Sequence, residues 1–143
     1  MTLILHTFSG APRGWRVLLG MSFKGLTPDI RYLNYSEKDH HKPGFLKLNP
    51  RATAPTLETK TGVLRDSIAI LAWLDREYPE KPLFGATPQE AGIIWQTTTE
   101  CNDYLRKSTD QLLSLVFSSD GSVPAEGSAE RDLQPHYHRL HHK

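Results

Sequence analysis

Asn49-Pro50-Arg51-Ala52-Thr53-Ala54-Pro55-Thr56-Leu57 is followed, one hairpin's length later, by Leu64-Arg65-Asp66-Ser67-Ile68-Ala69-Ile70. Pro55 has no amide proton to give a sheet, which confines it to the first residue of a strand or to an edge, where a cis bond would also turn the chain. Asp66-Ser67 stands where a helix begins. The free amides and positive dipole end of a helix start attract a carboxylate, and the aspartate side chain can hold an ammonium. A strand edge beside such a helix start fits a small zwitterionic peptide.

Upstream, residues 2–8 (Thr-Leu-Ile-Leu-His-Thr-Phe) are apolar and partly β-branched, a strand delivered into the turn Ser9-Gly10-Ala11-Pro12. From Pro12 the pattern predicts a helix with Trp15, Val17, Leu18, Leu19 and Met21 on its apolar face, closed by Lys24 and a C-cap Gly25. A strand at 29–33 completes a βαβ unit, which implies parallel pairing through a right-handed crossover. A polar connection over 34–42 carries Lys38, His40, His41 and Lys42 and leads into a short helical turn at 43–48. Residues 56–59 and 62–65 form a hairpin around Lys60-Thr61, and 68–78 form a helix stopped by Pro79. The order is β-α-β-α-β-β-α.

Beyond it, 80–87 with Pro82 reads as a linker, and Thr87-Pro88-Gln89-Glu90 is a capping box that starts a long helix over 88–117. Residues 118–143 hold few apolar residues able to pack and read as loop or poorly ordered tail. Four histidines between 136 and 142 lack carboxylate or cysteine partners in a folded context, so no metal site is expected. Cys101 reads as a buried core thiol, and Trp15, Trp73 and Trp95 as core or domain-interface residues.

Composition narrows the function classes. A chain of 143 residues can bury about 69% of its unfolded surface without a metal or disulfide staple. A formal charge of +1 gives no basic excess for nucleic acid. One cysteine cannot form an internal disulfide, and no apolar run approaches the roughly 20 residues needed to span a bilayer, so a soluble protein of the reducing cytoplasm is expected.

Arg16-Val17, His41-Lys42-Pro43, Asn49-Pro50, Ala54-Pro55-Thr56-Leu57, Asp66-Ser67-Ile68-Ala69-Ile70 and Leu83-Phe84-Gly85, taken together, resemble the glutathione transferase family. The match covers the family's N-terminal thioredoxin-like domain over 1–79 and, more weakly, the start of its helical domain to about 117. The resemblance implies an α/β, thioredoxin-like β-α-β-α-β-β-α domain with a mixed four-stranded sheet (1–79), a linker (80–87) and a partial all-α domain (88–143).

It also implies that Pro55 is a cis proline and that the Ala54 backbone pairs with the cysteinyl part of glutathione. Asp66 would hold the γ-glutamyl ammonium, Ser67 and the amides behind it the γ-glutamyl carboxylate, and His41 and Lys42 the glycine carboxylate. The family's catalytic hydroxyl or thiol stands five residues before the arginine matching Arg16, which here is Ala11. Ser9 is therefore the catalytic candidate, with Thr7 on the strand before it and the main-chain amides of the first helix as the other options.

The implied activity is transfer of the glutathione thiolate to a small electrophile, with glutathione as substrate, no metal, and a homodimer as the assembly. The helical region is short for the family, so a truncated or degenerate copy, a glutathione-binding or dimerisation module with little catalysis, is the alternative. A disulfide oxidoreductase is disfavoured, because no cysteine opens the first helix.

Overall fold

The computed structural model describes residues 3–106, 108 and 109. They fall into two compact units that divide between Ala91 and Gly92.

In the first unit, β1 (Ile4–Phe8), α1 (Pro12–Phe23), β2 (Asp29–Leu33), a 3-10 turn (Asp39–His41), α2 (Pro43–Leu48), β3 (Thr56–Glu58), β4 (Val63–Arg65) and α3 (Ser67–Glu77) follow one another. The sheet order is β2-β1-β3-β4. β1 and β2 are parallel, as the crossover through α1 requires, whereas β1/β3 and β3/β4 are antiparallel. This is the mixed four-stranded, thioredoxin-like arrangement that the sequence implies.

Alternation along the strands sends Leu5 and Leu57 to one face, where Val17 and Met21 of α1 and Ile70 and Leu74 of α3 close a fully buried core. His6 and Glu58 point to the other face, bonded to each other at 2.7 Å, with Phe45 of α2 packed edge-on to the His6 ring.

The buried stripe of α1 is Gly14, Val17, Gly20 and Met21. Trp15, Leu19 and Phe23 recur every four residues on a different stripe and are exposed. Trp15 is therefore not a core residue, and Leu19 does not share the face of Val17, because a helix turns about 100° per residue and the glycine face is the one that meets the sheet. Trp73 does pack against the core.

Lys24 and Gly25 end α1 as a Schellman motif: Gly25 takes φ +73, its amide donates to the Ser22 carbonyl at 3.0 Å, and the Leu26 amide reaches the Met21 carbonyl at 2.9 Å. The Lys24 side chain does more than face the helix dipole. Almost wholly buried, its ammonium donates to Asp75 at 3.0 Å and to the Tyr78 and Lys81 carbonyls at 2.7 and 2.8 Å. Burial alone would raise the Asp75 carboxyl, but the Leu83 amide and Lys24 outweigh it and hold it below its ordinary value.

α4 (Pro88–Glu100) opens with the predicted capping box, in which the Glu90 amide meets Thr87 Oγ1 at 3.3 Å and Glu90 Oε2 accepts the Thr87 amide at 3.0 Å. The long helix is not uniform. Thr97 and Thr99 bond back to the Ile93 and Trp95 carbonyls, competing for the groups that hold an α-helix, and Cys101–Leu105 then widens into a π-helix. Cys101 is exposed there, not a core thiol. Ile93 and Leu105 are exposed as well. The readings of 110–117 as helix and 118–143 as tail, and the C-terminal histidines, lie outside the described residues.

A Cβ added to Gly14 would clash with the hydroxyl of buried Thr7. Alanine at this helical position would otherwise gain up to about 1 kcal/mol in helix propensity, so tolerance or intolerance measures the contact. Gly14→Ala should destabilise the fold by about 1–2 kcal/mol net of that gain, the range expected for overpacking. Urea unfolding should show a lower midpoint at unchanged m-value, and Thr7→Ala in the same chain should restore part of it.

Candidate functional site

The register gathers the candidate residues at one end of the sheet. His6 faces Thr56 and Thr56 faces Arg65, so the end of β1, the start of β3 and the end of β4 share that end, as does the start of α1. Ala54-Pro55, immediately before β3, thus lies beside Thr7 and Phe8 on one side and Asp66 on the other. The Ala54-Pro55 bond is cis, and Pro55 is buried.

The loop that delivers Pro55 is built on Asn49, which sequence reasoning used only as a family marker. Its carboxamide is fully buried. Nδ2 donates to the Thr53 carbonyl at 2.7 Å and to the hydroxyls of Thr56 at 3.0 Å and Thr53 at 3.1 Å, while Oδ1 accepts the Arg51 amide at 3.0 Å. Its signal in the sequence is the Asn-Pro pair with threonines four and seven residues on, within reach of one carboxamide.

Asp66 takes φ +71, a conformation that side-chain-bearing residues rarely adopt, and caps α3. Oδ1 accepts the Ile68 amide at 2.9 Å and the Ala69 amide at 3.3 Å. The cap thus occupies two of the amides that the sequence reading offered to a carboxylate. The Ser67 amide and the second carboxylate oxygen of Asp66 lie outside these bonds. Ser67 is only 2% exposed, and its Oγ accepts a hydrogen bond of 3.1 Å from Nη1 of Arg16 on α1.

Ser9 is exposed in the turn after β1. The Ala11 amide donates to the Phe8 carbonyl at 3.3 Å, and Gly10 takes φ +76, the positive φ that a type II turn needs at its third residue. The Ser9 hydroxyl has no partner among the described residues. Ala11 caps α1 with no side-chain hydrogen bond, so the first amides of that helix are open as well. Thr7, the other hydroxyl considered, is buried under Gly14.

His41 and Lys42 are both exposed. Lys42 pairs with Asp39 at 2.6 Å, and Asp39 also accepts the Asn34 amide at 2.7 Å. Lys42 and then the Asn34 amide hold the Asp39 carboxyl below its usual value, and Asp39 in turn raises Lys42. The histidine held in the structure is the neighbouring one. His40 is 8% exposed, stacked on Tyr35 at 5.2 Å, edge-on to Phe8 at 5.2 Å and 4.2 Å from the His41 ring, and its buried Nδ1 has no hydrogen-bond partner. These rings carry the 34–42 connection onto Phe8, the residue before Ser9.

Residues 11–77 match the model of the glutathione S-transferase N-terminal domain. Over these residues the chain is a member of the glutathione transferase family. It is 34% identical over 92 residues to glutathione S-transferase 1 of Dianthus caryophyllus, covering 64% of this chain and 42% of that one. It is 30% identical over 96 residues to elongation factor 1-gamma 1 of Oryza sativa, covering 67% of this chain and 23% of that one. The fold is similar to that of a glutathione S-transferase from the Antarctic clam Laternula elliptica, with a TM-score of 0.76 at 24% identity over 99% of this chain and 64% of that one. The family member described here spans less than half the length of the two curated relatives.

Two outcomes test this geometry. Asn49→Ala takes the acceptor from the Arg51 amide and one of two donors from the Thr53 carbonyl, which keeps the Thr56 hydroxyl, and should lower stability by about 1–3 kcal/mol in urea unfolding, the cost of the hydrogen bonds lost around one buried side chain.

Burial, and then His41, depress the His40 imidazole below its usual value. The unfolded chain therefore takes up this proton at a higher pH than the fold does. The stability linked to His40 is complete above about pH 6.5 and is lost as pH falls from there through the lower folded value. Between pH 7 and pH 5 the urea midpoint should fall less in His40→Phe than in the wild type; parallel profiles would exclude this role.

Proposed function

We propose that the chain binds glutathione and transfers its thiolate to a small electrophile. The observation that carries this reading is the meeting of the cis Ala54-Pro55 bond with the Asp66-Ser67 helix start across β3 and β4. The cysteinyl backbone of glutathione pairs with Ala54 like an added strand. The γ-glutamyl ammonium takes the Asp66 oxygen outside the cap and its carboxylate takes Ser67, while Lys42, released in part from Asp39, and His41 take the glycine carboxylate.

The cysteinyl sulfur then lies toward the turn after β1. A free thiol titrates near pH 8.5, so a donor is needed to hold the thiolate at neutral pH. Ser9, with its unengaged hydroxyl, and the uncapped amides of α1 supply it. The thiol proton leaves to solvent. The sulfur lone pair forms the S–C bond while the leaving group departs with its electron pair.

In this reading 1–79 is the glutathione-binding domain, 80–87 the linker and 88–143 a partial helical domain, in a cytoplasmic homodimer. Ala11, at the position of the family's hydroxyl, favours the second reading, a glutathione-binding module with little turnover.

Titration calorimetry with glutathione, followed by turnover of a halo-nitroarene, separates the readings. Binding with turnover supports the transferase, binding without it the module, and no binding by folded chain overturns both. Asp66→Asn keeps an oxygen to cap α3 while removing the charge. It should weaken glutathione about tenfold or more, in line with an ion pair's share of a small ligand's affinity. Ser9→Ala should leave affinity within about twofold and lower turnover about 100-fold, the usual loss for one donor to a developing anion. Equal losses of affinity would reverse these assignments.

A further inference from the structure

We infer that this site accepts γ-glutamylcysteinyl thiols whose third residue ends in an amide as readily as glutathione itself, because Asp39 is a standing counter-ion for Lys42. The inference rests on the glutathione reading and deepens it. In that reading Lys42 and His41 meet the glycine end of the ligand. Lys42 arrives there already paired, its ammonium 2.6 Å from Asp39 Oδ1.

Asp39 is fixed where it stands. Its amide donates to the Asn34 carbonyl at 3.1 Å, its carbonyl accepts the Lys42 amide at 3.1 Å, and Oδ2 accepts the Asn34 amide at 2.7 Å, which leaves Oδ1 for the Lys42 ammonium. Asn34 Oδ1 ties the same turn again by accepting the Glu37 amide at 3.1 Å. A carboxylate held at both oxygens within one tight turn does not swing aside for a ligand. Lys42, three residues on, stays within its reach at little loss of chain freedom. The Lys42 bond, and then the Asn34 amide, hold the Asp39 carboxyl below its ordinary value, and Asp39 raises Lys42, so both charges persist across neutral pH.

The consequence is a glycine-end subsite without net charge. An ammonium has three protons to donate. A ligand carboxylate can take one that Asp39 leaves free, but it then stands near the Asp39 charge, and that repulsion offsets much of the attraction. Glu37 adds a second negative charge close enough to act on Lys42. Along the connection Glu37 and Asp39 balance Lys38 and Lys42, histidines aside. The Lys42 side chain is 58% exposed, so solvent screens what attraction remains. An amide on the third residue escapes the repulsion, and its carbonyl still accepts a hydrogen bond from Lys42.

Titration calorimetry on the full chain compares glutathione with its glycinamide form, in which a primary amide replaces the glycine carboxylate. The wild type should bind the two within about twofold of each other. Asp39→Asn keeps an oxygen for the Asn34 amide and takes the counter-charge from Lys42. It should tighten glutathione about fivefold, the upper end for an exposed ion pair, and leave the glycinamide form unchanged. Adding Lys42→Met to Asp39→Asn should abolish the gain.

A carboxylate that only holds the turn would instead weaken both ligands alike when changed to Asn, which overturns the inference, as does an unchanged ratio of the two affinities in Asp39→Asn. Should Asp39→Asn not fold, the wild-type ratio at low and at physiological ionic strength decides. It must be the same at both, since an uncompensated ion pair would be screened away between them. A wild type that prefers glutathione by more than the stated margin sinks this inference alone, whereas one that binds neither ligand sinks the glutathione reading with it.

Discussion

The carboxamide of Asn49 holds four hydrogen-bonding partners in a place no water reaches, and the rest of the site hangs from it. By tying Thr53, Thr56 and the Arg51 amide to one point it fixes the loop that enters β3, and with it the orientation of the Ala54-Pro55 pair. The antiparallel register of β3 then does two things at once. It presses Leu57 against Leu5 in the core, and it sets Pro55 between the end of β1 and the start of α3. Core and site therefore share a single constraint, since a slip of one residue would turn Leu57 out of the core and move Pro55 away from Asp66.

Across this site the polar groups are arranged as partners of one another. Lys42 rests on Asp39, Asp66 rests on its own helix, and Ser67 takes a hydrogen bond from Arg16. A ligand entering here exchanges some of these bonds for its own, so the net gain from each is smaller than a list of contacts suggests. What is left unengaged is correspondingly informative. The Ser9 hydroxyl, the first amides of α1, the Ser67 proton and His40 Nδ1 are among the groups without a partner in the described residues, and all lie on segments that meet at the carboxyl end of β1.

Close approach of α1 to the sheet and to α3 makes this convergence possible. Gly14 lies against Thr7 and Gly20 against Leu71, at distances that admit no Cβ. The small residues bring Arg16 within reach of Ser67 and at the same time turn Trp15, Leu19 and Phe23 outward. Lys24 completes the arrangement from the other end of α1 by gathering Asp75 and the chain that follows α3.

Much of this was written in local sequence. Alternating apolar residues specified β1, Gly25 the end of α1, Pro43 the start of α2, and Thr87 with Glu90 the start of α4, because each is a short-range matter of backbone hydrogen bonds and permitted φ. The candidate site drew on the same short-range signals, since Ala54-Pro55 and Asp66-Ser67 carry their chemistry in adjacent residues, and the structure brings the two pairs together across β3 and β4. The sequence could not say which face of α1 would be buried, since Trp15 and Leu19 are as apolar as Val17 and only the packing of Gly14 and Gly20 decides between them. Nor could it say that His40 and not His41 would be enclosed, or that Arg16 would reach Ser67, 51 residues away. Those are contacts between segments distant along the chain. They exist only once β3 has paired with β1 and the two helices have closed over Leu5 and Leu57.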